Sequence, residues 1–209
     1  MTAQGQQAGW PRRHAALIGG CLAAVTAGFA LDPVLRVHGE ALHTAYQGLP
    51  EGLRWLLHHL HWSFYLAYAA VAARALARRD RQGLQVVAAY VLAQMLVALV
   101  LVRALKIAVG RPRPLADDGM FRPLALDSAH NSFPSGHAAD AAVGFGVAVR
   151  AGAAFAWRGL ALVGMLLVMF LRVIELKHHP SDVVCGALMG SLGSWWLAEW
   201  WLRRRGGHG

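Results

Sequence analysis

The chain has 209 residues, 56% of them hydrophobic and 15% charged, with a mean hydropathy of +0.40. Soluble domains run nearer ~45–50% apolar and ~25% charged, so the composition points to a bilayer as solvent. The formal net charge of +9 comes from 18 Arg and two Lys in short clusters between apolar runs; no basic stripe interleaved with aromatics is present, which argues against a nucleic-acid partner.

A spanning helix needs about 20 mostly apolar residues. The first such run goes from Ala15 to about Leu31 and is expected to stop at Asp32-Pro33. Ile18-Gly19-Gly20-Cys21 looks like a lipoprotein cleavage site, but only Ala15 to Leu17 precede it as apolar core, so the run is read as a retained helix. From Arg36 to His61, a stretch with Pro50, several His and two acids, a surface loop or interfacial helix is expected. A second span follows from about Leu56 to Ala73, and a third from Leu84 to Val102. After a polar, proline-rich segment from Lys106 to Pro134, a fourth span begins near Ser135. A fifth covers Gly159 to Ile174 and a sixth Val183 to Leu202. The expected fold is therefore an all-α bundle of six transmembrane helices, one domain over residues 1–209 without internal repeat. Cys21 and Cys185 fall in apolar runs, where small buried thiols are expected, and no Cys-rich metal spacing occurs.

Charge orients this scheme. Arg12 with Arg13, the Arg78-Arg79-Asp80-Arg81 cluster, Arg150 with Arg158, and Arg203 to Arg205 all fall on one side, which the positive-inside rule makes cytoplasmic. Asp32, Glu40, Glu51, Asp117, Asp118, Asp127, Glu175 and Asp182 fall on the other. The polar segments Lys106–His137 and Arg172–Asp182 then share the outer face and are able to build one site.

Three clusters stand out there: Lys106 followed after six residues by Arg113-Pro114; Pro134-Ser135-Gly136-His137; and Arg172, five residues, His178, three residues, Asp182. In this order and spacing they resemble the signature of the type 2 phosphatidic acid phosphatase (PAP2) superfamily, whose soluble relatives include vanadium haloperoxidases and bacterial acid phosphatases. The resemblance covers about Leu84 to Leu202; the N-terminal third matches only in being hydrophobic. It implies a haloperoxidase-like helical core and a metal-independent membrane enzyme that hydrolyses a lipid phosphomonoester or pyrophosphate. No cofactor is implied, and the expected partners are the lipid phosphate substrate and membrane lipids. The expected location is a bacterial inner membrane, with both termini cytoplasmic and the site periplasmic by the charge pattern above.

The residues read physically support the same chemistry. Lys106, Arg113 and Arg172 converging at an interface would repel each other without an anion, and guanidinium groups match phosphate oxygens. Ser135 and Gly136 precede a helix, so their backbone N–H groups suit a bound anion. Asp182 is expected to hold one ring nitrogen of His178, freeing the other to attack phosphorus and form a phosphohistidine. His137 is expected to protonate the leaving oxygen and then to activate water. His179 competes for the nucleophile's part, but the residue at the matching spacing from it is Val183.

Other residues carry alternatives. Arg111 and Lys177 are read either as snorkelling cations or as parts of the site. His38, His43, His58, His59 and His61 are read as structural, with the His58-His59-His61 cluster as a weaker metal candidate. Gly186 and Gly190, four apart, mark close helix packing. Leu171 stands where the family usually has Ser. Asp140, one turn beyond His137, either tunes His137 or pairs with Arg103. The run from Arg172 to Val183 is similar to eukaryotic lipid phosphate phosphatases and hints at a glycerolipid such as phosphatidic acid. Bacterial members also act on phosphatidylglycerol phosphate, undecaprenyl pyrophosphate or lipid A phosphates. A phosphotransferase of the same class and a non-catalytic transporter or scaffold are the rival readings.

Overall fold

The computed structural model describes residues 10–116 and 119–206. Asp117 and Asp118 lie outside the described residues, as do the side chains of Arg12, Arg13 and Arg205. Among the described residues the chain is all-helical, with seven helices: α1 (Trp10–Gln47), α2 (Glu51–His58), α3 (Trp62–Arg78), α4 (Arg81–Val109), α5 (Gly136–Arg150), α6 (Phe155–Ile174) and α7 (Pro180–Gly206). Three stretches are long and apolar enough to cross a bilayer: Gly19–Gln47, Arg81–Val109 and Phe155–Ile174. The expected second and fourth spans are α3 and α5, of 17 and 15 residues. At about 1.5 Å per residue these fall short of a ~30 Å hydrocarbon core. Helix α7 is long, but Ser181, Asp182, Ser191, Ser194 and Glu199 dilute its apolar character.

The first helix departs from expectation. It does not stop at Asp32-Pro33 but runs on to Gln47, so most of the expected loop from Arg36 is helical. Pro33 gives up one helix hydrogen bond. What offsets this is docking: Asp32 is buried and fully engaged by Arg111 and Ser181, and His43 Nδ1 bonds to the carbonyl of Ile174 at 2.8 Å. The chain breaks instead at Gly48–Pro50 and again at His59–His61, inside the expected second span.

The centre of the bundle is α5, whose Ala138, Ala139, Ala141, Ala142 and Val143 are fully buried. Small residues let α7 lie directly against it. A Cβ on Gly186 would sit 2.3 Å from the Ser135 carbonyl, and one on Gly190 the same distance from the Ala139 carbonyl. The pair of glycines thus marks close packing, as their spacing suggested. This contact puts the N-termini of α5 and α7 side by side, and with them the second and third motifs. Met95, Leu99 and Val100 of α4 and Leu160, Leu166 and Phe170 of α6 are exposed, an outer surface suited to lipid.

Candidate active site

Helix α4 ends at Gly110, at φ 59°, where any Cβ would collide with the Arg122 carbonyl. The chain turns there into the proline-rich loop, leaving Lys106 in the last turn of α4. Lys106 Nζ donates to the Asn131 carbonyl at 2.7 Å. Arg113 is fixed by its backbone, whose N–H donates to the Ala129 carbonyl at 2.8 Å, and its Nε has no hydrogen-bond partner. Burial lowers the pKa of this guanidinium, although Asp182 opposes the shift. Ser135 caps α5 with an extended backbone; its N–H donates to the Asp182 carbonyl at 2.9 Å, and its buried Oγ is without a partner. Gly136 and His137 follow in the first turn. Lys106, Arg113, Gly136 and His137 line one cavity of about 630 Å³.

His178, 3% exposed and on the link between α6 and α7, is not among the residues that line this cavity. Its Nδ1 lies 2.7 Å from the Ser132 carbonyl oxygen, which only accepts, so Nδ1 carries the proton and Nε2 keeps its lone pair. The expected carboxylate contact is longer: Asp182 Oδ2 is 3.8 Å from Nδ1. The hydrogen bond that orients the ring is therefore to a backbone carbonyl, and Asp182 acts as a nearby charge. Burial, with Lys106 and Arg113 adding repulsion against the pull of Asp182, pushes the His178 pKa down to about 4. The imidazole is neutral at pH 7. His179 turns elsewhere, its Nε2 3.3 Å from the Pro112 carbonyl.

Asp182 is fully buried and saturated. It accepts from Arg111 Nη1 at 2.6 Å, from Ser132 Oγ at 2.5 Å and from the His179 N–H at 2.8 Å. Arg111 also donates to Asp32 Oδ2 at 2.7 Å and to Ser181 Oγ at 2.6 Å, and lies over the Phe29 ring at 4.4 Å. Arg111 is thus no snorkeller but a buried bridge from α1 to the start of α7. Sequence reasoning missed Asp32, Ser132 and Ser181 as parts of this network. Lys177, by contrast, is exposed.

Arg172, 2% exposed, is held from the other side. Its Nη2 donates to Glu175 Oε1 at 3.0 Å and to the His58 carbonyl at 2.8 Å; Nε has no partner. Glu175 also accepts from Tyr46 Oη at 2.9 Å and pairs with His58 Nδ1 at 3.2 Å. His58 therefore has a structural task, as do His38 and His59, whose Nδ1 atoms bond to the carbonyls four residues earlier. Among the described residues no three His, Cys, Asp or Glu side chains are grouped to hold a metal. His61 differs from its neighbours: it lines the cavity, its ring perpendicular to that of His137 at 4.4 Å. Asp140 contacts neither suggested partner within hydrogen-bond or ion-pair distance; both its oxygens accept from Tyr65 Oη at 2.7 Å.

The profile of the PAP2 superfamily matches residues 82–206. The chain belongs to the PAP2 superfamily. This PAP2 protein is 32% identical over 148 residues to a lipid A 1-phosphatase of Rhizobium johnstonii, covering 66% of this chain and 58% of the relative. It is 34% identical over 125 residues to a lipid A 1-phosphatase of Rhizobium etli, covering 54% and 51%. The chain thus spans little more than half the length of these relatives. No solved structure matches it. The PAP2 match begins at residue 82, so Asp32, Tyr46, His58, His61 and Tyr65 reach the site from the part of the chain before it.

Proposed function

We propose that this PAP2 protein is a membrane lipid phosphate phosphatase working through a phosphohistidine at His178. The observation that carries this reading is the His178 ring: neutral, its Nδ1 proton committed to Ser132, beside a cavity lined by Lys106, Arg113 and His137. In the proposed cycle Nε2 attacks phosphorus and the bond to the lipid oxygen breaks, while His137 donates a proton to that oxygen. His137 then takes a proton from water, which attacks the phosphohistidine, releasing inorganic phosphate and restoring His178. Because the Ser135 N–H is committed to the Asp182 carbonyl, the charge on the transferring group is offset by Lys106, Arg113 and Arg172 with the Gly136 N–H and the unpartnered Ser135 Oγ. These cations stand where other phosphatases place metals, so turnover is expected to survive a strong chelator.

Lipid A stands first among the substrates we propose, ahead of phosphatidic acid, phosphatidylglycerol phosphate and undecaprenyl pyrophosphate, a choice supported by the names of the two relatives. Six spans, with α3, α5 and α7 crossing as packed partners of the three apolar helices and the site outward, remain the topology we favour. The test is phosphate release from these four lipids by detergent-purified protein with His178→Ala alongside. The parent should release phosphate and the variant should not; equal release by both removes the mechanism.

A further inference from the structure

The cavity continues inward past the phosphoryl cradle, and the mechanism leaves that part unused. Lys106 and His137 mark its outer end. Three residues inward from each lie Arg103 on α4 and Asp140 on α5, about 4.5 Å deeper by helix rise. Deeper still on α4, the wall becomes apolar with Leu99 and Met95, both half-exposed to the outer surface. The order along the cavity is cationic cradle, then a polar belt, then an apolar exit. A lipid with its phosphate in the cradle and its chains along α4 would hold its leaving group in that belt.

Asp140 is built to face something there. Its oxygens accept the Tyr65 hydroxyl and the Gln94 amide stands beside them, whereas a carboxylate offers about four acceptor positions, so acceptor capacity is left over. The neighbouring imidazole of His61 has its Nε2 4.0 Å away. Arg103 lines the same cavity and forms no ion pair with Asp140, so the carboxylate is not neutralised by it. A carboxylate beside a phosphate site opposes substrate binding unless a donor on the substrate meets it.

Resting on the phosphatase reading above, we propose that Asp140 is a specificity residue that accepts a hydrogen bond from a hydroxyl or amide N–H on the leaving group, next to the scissile oxygen. A sugar or glycerol headgroup carries such a donor. The fully esterified glycerol of phosphatidic acid does not, and the leaving phosphate of a pyrophosphate lipid is an anion that Asp140 repels.

The test compares, within each protein, kcat/KM for phosphatidylglycerol phosphate and for its analogue lacking the free glycerol hydroxyl. A ratio within one preparation does not depend on how much of it is folded. The parent should prefer the hydroxylated lipid about tenfold or more. Asp140→Ala should bring the ratio close to one. Asp140→Asn, which keeps an acceptor for Tyr65, should raise undecaprenyl pyrophosphate turnover relative to phosphatidic acid at least threefold. A preference that persists in Asp140→Ala, or a parent without one, overturns the proposal and leaves the phosphatase reading standing. A parent inert on every lipid overturns both.

Discussion

His178 donates its Nδ1 proton to the Ser132 carbonyl at 2.7 Å, and Asp182, at 3.8 Å, is not the group that fixes its tautomer. A backbone carbonyl cannot be removed by changing a side chain. Asp182→Asn should therefore keep the ring oriented while losing the charge that stabilises the cationic phosphohistidine. Removing a charged contact of this kind costs ~1.5–3 kcal/mol, or about 10- to 100-fold in kcat. His178→Gln should form no phosphoenzyme in a single turnover. If folded Asp182→Asn is equally inert, the carbonyl does not suffice to orient the ring.

The same burial makes stability depend on pH. A free histidine titrates near 6.5, whereas His178 in the folded chain titrates at about 4. Between those values the unfolded chain binds the extra proton. The contribution is therefore fully present above pH 6.5 and is lost as pH falls toward and through 4. Its size is about 3 kcal/mol. Thermal unfolding in detergent between pH 7 and pH 4 should show a steeper loss for the parent than for His178→Gln. Parallel curves would mean that His178 is not held neutral.

Arg111 bridges two buried carboxylates, Asp32 on α1 and Asp182 at the start of α7. Breaking a buried pair by deleting one member leaves an uncompensated charge and costs ~3–5 kcal/mol. Arg111→Met should lower Tm more than any other single change in this network, because it strands two carboxylates. Asp32→Asn, which leaves Arg111 paired with Asp182, should cost less. The double variant should be less destabilised than the sum of the two single changes. Additive losses would show that the bridge does not act as a unit.

That bridge also marks where sequence reasoning stopped. The three motif clusters were legible because each is local: spacing along one helix end or one tight link places Lys106, Gly136, His137 and His178 with little help from the rest of the fold. Asp32 meets Arg111 across 79 residues and Tyr65 meets Asp140 across 75, and no local periodicity encodes either pairing. The Asp32-Pro33 pair read as a helix stop because, in isolation, a charge and a proline are one. Tertiary contacts from Arg111 and Ser181 overrode that local preference. The Gly186/Gly190 pair was readable for the opposite reason, since four-residue spacing puts both on one helix face.

Those two glycines separate stability from catalysis. On Gly186 a methyl would meet the Ser135 carbonyl at 2.3 Å; on Gly190 it would meet the Ala139 carbonyl at 2.3 Å and the Ala142 side chain at 2.8 Å. In both cases backbone must move, at ~1–3 kcal/mol for overpacking. Only at Gly186 does the displaced strand of backbone belong to the anion cradle, because Ser135 caps α5 and bonds to Asp182. Gly186→Ala should therefore lower kcat/KM about tenfold or more per folded molecule, counted by phosphoenzyme yield, as well as lowering Tm. Gly190→Ala, one turn deeper, should lower Tm by a similar amount while its folded molecules keep most of their turnover. Equal kinetic losses in the two variants would mean that the whole α5–α7 contact, rather than its outer end, sets the position of the cradle.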